Sequence, residues 1–433
     1  MYSKILVANR GEIAVRIIRA CKEMGISTVA VYSEADADSM HVALADESYC
    51  IGAADPADSY LNGERIVSAA LISGAQAIHP GYGFLSENAE FAALCQHNGV
   101  AFIGPSVEVM NAMADKADVK ALMRDAGLEV IPGMAEIASP EEGLAAAELI
   151  GYPVMLKARM GGGGRGIRLV HRAEDMEGAY FAAKTESDAA FGNGSVYLEK
   201  YVNPARHIEL QFLADEYGNV VCLGERDCSI QRRNQKLIEE SPSPALRPEQ
   251  RRVLYAQASA AVKKIGYIGA GTLEFLYDGL HFYFMEMNIR LQVEHTVTES
   301  LTSIDLVKWQ IRISSGVALT FGQDDVDLSG CAIECRINAL APGKVELLHV
   351  SGGPFVRFDT YLLSGSEVTP YYDPLIGKLI VYASLREEAL RKMKAALCEL
   401  VIAGVPNNIE EQIALVSSDD FMSGAYDLNF FRK

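Results

Sequence analysis

One short segment of the chain places a polar side chain at every second position, directly after an aromatic run at 282–284. In an extended strand this spacing sends the side chains to one face. Five polar groups would not line a buried face unless they bound something, although a solvated strand face also produces such alternation. Carboxylate and amide oxygens beside an arginine suit a hard cation with an anion held next to it. The five residues are Glu286, Asn288, Arg290, Gln292 and Glu294.

A second carboxylate, Glu274, precedes an Asp-Gly turn signal at 278–279 on the preceding predicted strand. A two-residue turn would place Glu274 and Glu286 on opposite faces of the hairpin. An odd-length connection centred on Leu280 would instead set them directly opposite each other. Two carboxylates that close repel, so this arrangement makes sense only around a cation. We predict the odd-length connection, with Glu274, Glu286 and Asn288 as magnesium ligands.

Another unusual stretch holds five glycines in six residues at 161–166, between strands predicted over 152–158 and 167–170. Glycine at this density costs conformational entropy, and it lets backbone N–H groups approach a ligand closely. The stretch lacks the G-K-[ST] of a P-loop and runs into a strand rather than a helix. It therefore indicates a flexible hairpin lid that closes over phosphates, with a disordered tip as the alternative.

Cations cluster in one place on an otherwise acidic chain, at Arg232, Arg233 and Lys236. Such side chains donate to phosphate and carboxylate oxygens, so the cluster favours an anion site; a solvated charged face is the alternative. His79 follows a predicted strand, where ligands gather in α/β sheets, but a purely structural turn explains it equally well.

The composition is that of an ordinary globular chain. Its 433 residues, 49% hydrophobic and 22% charged, predict two or three domains. The net charge of −18 argues against a nucleic-acid partner. We see no apolar run long enough to span a bilayer and no signal peptide. The scattered cysteines lack C-x-x-C spacing, so Cys331 and Cys335 are interpreted as core thiols and a reducing cytoplasm is expected.

The elements that must position these side chains follow from hydrophobic periodicity. Strands and helices alternate over residues 1–114, which predicts an open parallel α/β domain without a G-x-G-x-x-G dinucleotide motif. Residues 115–330 carry the glycine stretch, the basic cluster and the polar strand, with a lid over about 131–203. Residues 331–433 form a smaller domain of mixed α+β type. The predicted fold class is therefore a multidomain α/β and α+β protein.

Seven segments, in the family's own order, resemble biotin carboxylase, the ATP-grasp subunit of biotin-dependent carboxylases such as acetyl-CoA carboxylase. The match runs from Ile5 to about Asn429. The resemblance implies an N-terminal biotin carboxylase domain, a central ATP-grasp domain with a mobile lid, and a C-terminal biotin carboxylase domain. The segments are ANRGEIAVRIIRAC, HPGYGFLSENAEFA, GGGGRG, ERDCSIQRRNQK, EMN-R-QVEH, ECRIN and YYDPLIGKLI.

The resemblance also implies a reaction. ATP would phosphorylate bicarbonate to carboxyphosphate, which yields carbon dioxide for a ureido nitrogen of biotin, with Mg²⁺ or Mn²⁺ as the metal. Glu294 matches the base that deprotonates bicarbonate, and Arg336 matches the cation that steadies the enolate form of biotin. The catalytic set is Lys236, Arg290, Glu294 and Arg336, and the bicarbonate and biotin pocket adds Gln292 and Val293. The implied ATP contacts are Lys116, Lys157, Gly163, Gly164, Glu199, Lys200, Val202, His207, Gln231, Asn234, Glu274 and Glu286.

Several positions depart from the commonest family pattern, and none of them removes a proton carrier or a metal ligand. The loop after Asn338 is shorter than usual, which could change how the C-terminal domain packs or dimerises. The substitutions are Asn234 for histidine, Ile167 for methionine, Ile289 for threonine and Thr296 for proline.

The sequence contains no biotin-attachment turn and no carboxyltransferase domain. The expected partners are therefore a separate biotin carboxyl carrier protein and carboxyltransferase subunits, with a homodimer of this chain. The final acyl-CoA or keto-acid acceptor would be chosen by the transferase on another chain. Two alternatives stay open: another ATP-grasp ligase that activates a carboxylate, and a non-catalytic relative that binds nucleotide and scaffolds partners.

Overall fold

A computed structural model describes residues 1–159, 166–192 and 194–432 of the chain. Across these residues, no helix combines the length and the apolar character that a membrane crossing needs. The described cysteines are free thiols, and Cys331 and Cys335 are buried in the core, as predicted.

The N-terminal part is a parallel sheet with the strand order β3-β2-β1-β4-β5. Its strands are short apolar runs flanked by helices on both faces, the arrangement that parallel strands require. The predicted open α/β domain is confirmed. Its elements are Lys4–Val7 (β1), Gly11–Glu23 (α1), Ser27–Ser33 (β2), Met40–Leu44 (α2), Glu47–Gly52 (β3), Gly63–Ser73 (α3), Ala77–His79 (β4), Ala89–His97 (α4), Ala101–Phe102 (β5) and Val107–Ala112 (α5).

A second, smaller sheet with the order β6-β9-β7-β8 carries the glycine stretch. The strands flanking that stretch pair antiparallel, with Lys157 opposite Ile167, so the predicted hairpin is confirmed on both sides of its tip. The tip itself, with Gly163 and Gly164, lies outside the described residues. The elements are Lys116–Asp125 (α6), Gly133–Ile137 (β6), Pro140–Ile150 (α7), Val154–Ala158 (β7), Ile167–Val170 (β8), Met176–Phe191 (α8) and Val196–Lys200 (β9).

The largest sheet is antiparallel and runs in the order β14-β13-β10-β11-β12-β15-β20-β18, in which β15 is Cys331–Asn338, β18 is Val356–Thr360 and β20 is Leu375–Ala383. The sheet crosses the predicted boundary at residue 330, because β12 (Gln235–Ser241) pairs with β15, and Glu239 lies opposite Glu334. The central and C-terminal parts of the chain therefore share one sheet. Its first elements are Arg206–Ala214 (β10), Val220–Arg232 (β11), Gln235–Ser241 (β12), Pro248–Lys264 (α9), Gly269–Tyr277 (β13), Phe282–Asn288 (β14), His295–Thr302 (α10) and Leu306–Ser314 (α11).

The C-terminal part adds strands to this sheet and packs helix α12 against them. Two further strand pairs, β16 with β19 and β17 with β21, flank it. The elements are Cys331–Asn338 (β15), Gly343–Lys344 (β16), Leu347–His349 (β17), Val356–Thr360 (β18), Glu367–Val368 (β19), Leu375–Ala383 (β20), Arg386–Glu399 (α12), Val401–Ala403 (β21), Ile409–Val416 (α13) and Asp419–Ser423 (α14).

The β13–β14 hairpin corrects one prediction and confirms another. The connection spans the four residues 278–281, so the predicted odd length is wrong. Glu274 and Glu286 nevertheless lie directly opposite each other, because Met285 is an extra residue that bulges out of the ladder. A β-bulge shifts the alternation of faces by one position, and here it does what the odd-length connection was expected to do.

The strand after the hairpin ends earlier than predicted. It stops at Asn288, and residues 289–294 form a turn that leads into α10. Of the five alternating polar residues, only Glu286 and Asn288 therefore share a strand face, while Arg290, Gln292 and Glu294 are placed by the turn. The prediction of one continuous strand face is wrong.

Candidate active site

A cleft of about 1500 Å³ opens between the N-terminal sheet, the small sheet and the large sheet. It gathers most of the predicted site residues, including the three that follow the end of β14. The predicted residues that line it are Lys157, Lys200, Val202, His207, Gln231, Asn234, Lys236, Glu274, Glu286, Asn288, Arg290, Gln292, Val293, Glu294 and Arg336.

The two carboxylates of the β13–β14 hairpin meet at this cleft. Asn288 Nδ2 donates to Glu274 Oε1 at 2.6 Å, and Glu286 lies across the ladder from Glu274. Two carboxylates and an amide oxygen form a donor set that suits a hard divalent cation. The residues present therefore fit the predicted magnesium ligands Glu274, Glu286 and Asn288.

Glu274 is buried yet ionised. Burial alone would raise its pKa, but Lys236 and His207 outweigh burial and hold the pKa well below its usual range. His207 Nε2 lies 2.8 Å from Glu274 Oε2, and Gln231 Nε2 lies 2.7 Å from the other ring nitrogen. The contact with Gln231 holds the ring with Nε2 facing Glu274. Four predicted site residues thus form one network.

A second carboxylate, Glu294, lies between two cations. Lys236 Nζ is 2.6 Å from its Oε1, and Arg336 donates to its Oε2 at 3.0 Å. Lys236 also contacts Glu209 closely and lies 3.4 Å from Glu274. The residues predicted for bicarbonate and biotin are therefore brought together by β12, β15 and the turn before α10.

Charge pairing controls the protonation of this group. Burial would raise the pKa of Glu294, but Lys236 and Arg336 hold it well below its ordinary value. Burial would likewise lower the pKa of Lys236 and of Arg336, and in both cases neighbouring glutamates raise it instead. All three groups are therefore charged at neutral pH, and the carboxylate is available as a proton acceptor.

Four further hydrogen bonds fix the turn that carries Arg290 and Gln292. Arg290 donates to Glu87 at 3.0 Å and to Asn288 Oδ1 at 3.1 Å. Gln292 donates to Glu274 at 2.7 Å and accepts from the fully buried Arg226 at 2.5 Å. The side-chain amide of Gln292 therefore joins Glu274 to the buried core of the large sheet.

The opposite end of the cleft holds the residues predicted to contact the nucleotide. Lys157 Nζ lies 2.7 Å from the buried Glu199, and Lys120 contacts the same carboxylate closely. The amine of Lys200 donates instead to the carbonyls of Gly151 and Tyr152, which anchors β9 to the segment before β7. Lys116 begins α6, but its side chain lies outside the described part of the chain.

Two other predicted features have structural roles. His79 is completely buried, accepts from the Gly81 N–H at 3.1 Å, and has its pKa lowered to about 3 by burial. It belongs to a structural turn. The basic cluster lines the cleft with Arg232, Arg233 and Lys236, and Arg232 also has a structural role, because it pairs with Glu411 and stacks on Phe431.

Some residues that line the cleft or contact its lining were not predicted. Lys120 lies one helical turn after Lys116, a spacing that could have indicated it. Glu87, which orients Arg290, and Lys378, which donates to the Val293 carbonyl at 2.7 Å, carry no local signal. Their contacts join segments about 200 and 85 residues apart, so only the folded chain brings them together.

Three family models match successive parts of the chain. Residues 1–110 match the biotin carboxylase N-terminal domain, residues 115–321 the ATP-binding domain of the carbamoyl-phosphate synthase L chain, and residues 334–433 the biotin carboxylase C-terminal domain. The three-domain architecture that the resemblance implied is confirmed.

Relatives match over nearly the whole length. Biotin carboxylase 1 of Bacillus subtilis is 50% identical over 99% of this chain and 98% of its own. The 2-oxoglutarate carboxylase small subunit of Hydrogenobacter thermophilus is also 50% identical, over 100% of this chain and 94% of its own.

Solved structures superpose equally well. Campylobacter jejuni biotin carboxylase, crystallised as a β,γ-ATP complex, is 47% identical with a TM-score of 0.97 and covers 100% of this chain and 99% of its own. The biotin carboxylase domain of Hydrogenobacter thermophilus 2-oxoglutarate carboxylase was solved as a dimer with MgADP, ADP and bicarbonate. It is 50% identical with a TM-score of 0.96, and the match covers 100% of this chain and 97% of its own. Together with the family models and the cleft geometry, these matches show that the chain belongs to the biotin carboxylase family of ATP-dependent ligases.

Proposed function

We propose that this chain carboxylates biotin on a separate carrier protein, using ATP and bicarbonate with carboxyphosphate as the intermediate. The observation that carries the proposal is the ionised Glu294 held between Lys236 and Arg336. Bicarbonate is an anion that must be bound and must lose a proton, and two cations beside one carboxylate meet both needs. The bicarbonate bound to the Hydrogenobacter relative supports the same choice of ligand.

Each side chain of this end of the cleft has a role in the proposal. Glu294 takes the proton of bicarbonate, and Arg336 stabilises the negative charge on the enolate form of biotin. Gln292 holds the turn before α10 in place, because it accepts a hydrogen bond from Arg226. The bicarbonate anion is held by Lys236, Arg290 and the backbone of Val293.

The nucleotide occupies the other end. We place the phosphates near Lys157, with the glycines of the hairpin tip closing over them. The remaining proposed ATP contacts are Lys116, Gly163, Gly164, Glu199, Lys200, Val202, His207, Gln231, Asn234, Glu274 and Glu286.

A divalent cation completes the proposal. Glu274, Glu286 and Asn288 would hold Mg²⁺, or Mn²⁺, beside the phosphates. When bound, the metal neutralises charge on the phosphoryl group being transferred. Lys236 and His207 lie on the protein side of Glu274, and they hold the pKa of that carboxylate below its usual range.

The proposal also covers the domain bounds and the partners of the chain. We assign residues 1–114, 115–330 and 331–433 to the N-terminal, ATP-grasp and C-terminal domains, with the lid over about 131–203. The proposed setting is a cytoplasmic homodimer that works with a biotin carboxyl carrier protein and carboxyltransferase subunits, in acetyl-CoA carboxylase or a related acyl-CoA carboxylase of fatty-acid synthesis. The Hydrogenobacter relative belongs to a 2-oxoglutarate carboxylase, so identifying the co-purifying carrier and transferase decides the acceptor.

The test is ATP cleavage by the purified chain with and without bicarbonate, and with and without free biotin. We expect cleavage that requires bicarbonate and is stimulated by biotin. Cleavage driven by a different carboxylate would identify another ATP-grasp ligase. A preparation that binds ATP but never cleaves it, with the carrier protein present, would identify a scaffold.

A further inference from the structure

Glu334 is a fully buried carboxylate behind the site described above. It lies on β15 two residues before Arg336, so both side chains leave the same face of the strand. Its neighbour across the ladder on β12 is Glu239, which accepts from Arg336 Nε at 2.6 Å. Two carboxylates paired across a dry sheet repel, and both cannot ionise without a large cost.

The hydrogen bonds around the pair leave room for one proton. Thr296 donates to Glu334 Oε2, while Glu334 Oε1 and Glu239 Oε2 have no hydrogen-bond partner among the described residues. Burial raises the pKa of Glu334 to about 8, with Glu239 adding to the rise and Lys378 opposing it. Burial raises the pKa of Glu239 as well, against the pull of Arg336. Arg336 favours the charged form of Glu239, so the proton belongs on Glu334.

Thr296 ties this pair to the reacting end of the cleft. It lies in the first turn of α10, two residues after Glu294. The bond from α10 to Glu334 depends on the hydroxyl group of this side chain, which valine or proline would lack.

The other charged groups near Glu334 are already engaged. Lys378 donates to the Val293 carbonyl at 2.7 Å and lies 3.1 Å from Glu12. On α10, burial lowers the pKa of His295 to about 3, so it is neutral, and Glu299 pairs with arginines at 16 and 357. An ionised Glu334 would therefore compete directly for Arg336 and Lys378.

We propose that Glu334 is a positioning residue that stays protonated at neutral pH. Arg336 then stays paired with Glu294, and Lys378 stays hydrogen-bonded to the Val293 carbonyl. This inference rests on the proposed function, because both contacts shape the bicarbonate pocket. As the pH rises, Glu334 loses its proton to solvent and places a second anion beside Glu239. The added charge draws the two cations away and repels bicarbonate, so the affinity for bicarbonate falls at alkaline pH.

The kinetic test compares wild type, Glu334→Gln and the surface control Glu399→Gln in bicarbonate-dependent ATP cleavage. In wild type and the control, the KM for bicarbonate should rise about fivefold as the pH passes from about 7 to about 9, with kcat less affected. In Glu334→Gln, whose neutral amide imitates the protonated acid, the KM should stay flat. A Glu334→Gln enzyme with the wild-type rise would overturn the proposal.

Thr296 provides a second pair of variants that leave Glu334 in place. Thr296→Val removes the donor to the ionised carboxylate, which raises the pKa of Glu334 and moves the rise in KM to higher pH. Thr296→Ser keeps the hydroxyl and should restore the wild-type profile. If the KM for bicarbonate depended on pH in the same way in Thr296→Val and in wild type, the proposal would be contradicted, even if Glu334→Gln failed to fold.

An infrared measurement separates this inference from the proposed function. A buried protonated carboxylic acid gives its own C=O stretch, which should be present in wild type at neutral pH, fade at alkaline pH, and be absent from Glu334→Gln. The band is expected whether or not the chain cleaves ATP, so an inactive preparation would refute only the proposed function. A wild-type spectrum identical to that of Glu334→Gln would refute the protonated Glu334.

Discussion

Pairing between charged residues decides the properties of individual side chains in the cleft. A buried carboxylate is normally protonated, yet Lys236 and Arg336 keep Glu294 ionised because each lies within hydrogen-bond distance. The same principle leaves Glu334 neutral, since its nearest ionic neighbour across the ladder is another carboxylate. Glu294 and Glu334 are both buried, and the charges of their neighbours give them opposite protonation states.

Replacing the proposed base tests its role directly. Glu294→Gln keeps the shape of the side chain, but it cannot accept a proton, and its amide nitrogen cannot accept the hydrogen bond from one of the two cations. We expect kcat for bicarbonate-dependent ATP cleavage to fall about 100-fold or more, with the KM for ATP little changed. Steady-state kinetics beside Glu399→Gln, an exposed glutamate outside the cleft, provides the control. Turnover within a few-fold of wild type would remove Glu294 from the mechanism.

The metal assignment predicts a different kinetic signature. Glu286→Gln removes one of two facing carboxylates without changing side-chain volume. The Mg²⁺ concentration for half-maximal activity should rise about tenfold or more, because a hard cation depends on charged oxygen ligands. The measurement is a metal titration at saturating ATP and bicarbonate, with the exposed Glu216→Gln as control. An unchanged titration would show that Glu286 is not a ligand.

At the scale of single elements, the register between β13 and β14 decides which side chains face each other. The bulge at Met285 turns Glu286 toward Glu274 although the hairpin connection has the wrong parity for that arrangement. The position of β13 depends in turn on close packing against β10. At Gly271, three residues before Glu274, an added Cβ would lie 2.5 Å from the ring of Phe212.

This packing predicts a stability loss in β13. Gly271→Ala should lower the free energy of unfolding by about 1–3 kcal/mol through overpacking. Adding Phe212→Leu relieves the clash, so the double variant should lose less than the sum of the single losses. Gly178→Ala on α8, where an added Cβ meets nothing within 4 Å, is the matched control and should be neutral or stabilising. Denaturant unfolding distinguishes these outcomes, and additive losses would argue against the contact.

For the whole molecule, burial of titratable groups sets the response to acid. His41, His79 and His295 are buried, and burial lowers their pKa values from 6.5 to about 4, about 3 and about 3. The unfolded chain therefore takes up these protons first as the pH falls below 6.5. The contribution of these three histidines to stability is complete above pH 6.5 and is lost as the pH falls toward 4 and below.

The contribution of His41 to this loss of stability is large enough to measure. Its shift corresponds to about 3 kcal/mol lost between pH 6.5 and 4, so unfolding midpoints should fall steeply across that window. His41→Gln should flatten the decline, whereas the exposed His97→Gln should leave it as in wild type. Equal slopes in all three proteins would mean that other groups cause the acid sensitivity.

Much of the fold was predictable because it depends on local patterns. Apolar strands alternating with amphipathic helices identified the N-terminal sheet, and the strands around the glycine stretch identified the hairpin. The candidate site residues were predicted by motif resemblance, and most of those predicted residues line the cleft, although Lys120 was missed. The roles of the Lys116 side chain and of Gly163 and Gly164 stay predictions.

By itself, then, the sequence determined which segments form strands and helices, the family of the chain and the chemical types in its cleft, since these depend on neighbouring residues. Only the tertiary structure decided the bulge that aligns Glu274 with Glu286, the sheet shared across residue 330, and the contact of Thr296 with Glu334. Each of these is a pairing of strands or side chains whose geometry depends on the packing of the whole sheet. No local pattern specifies it, because register is chosen by the total burial and charge pairing that the folded chain achieves.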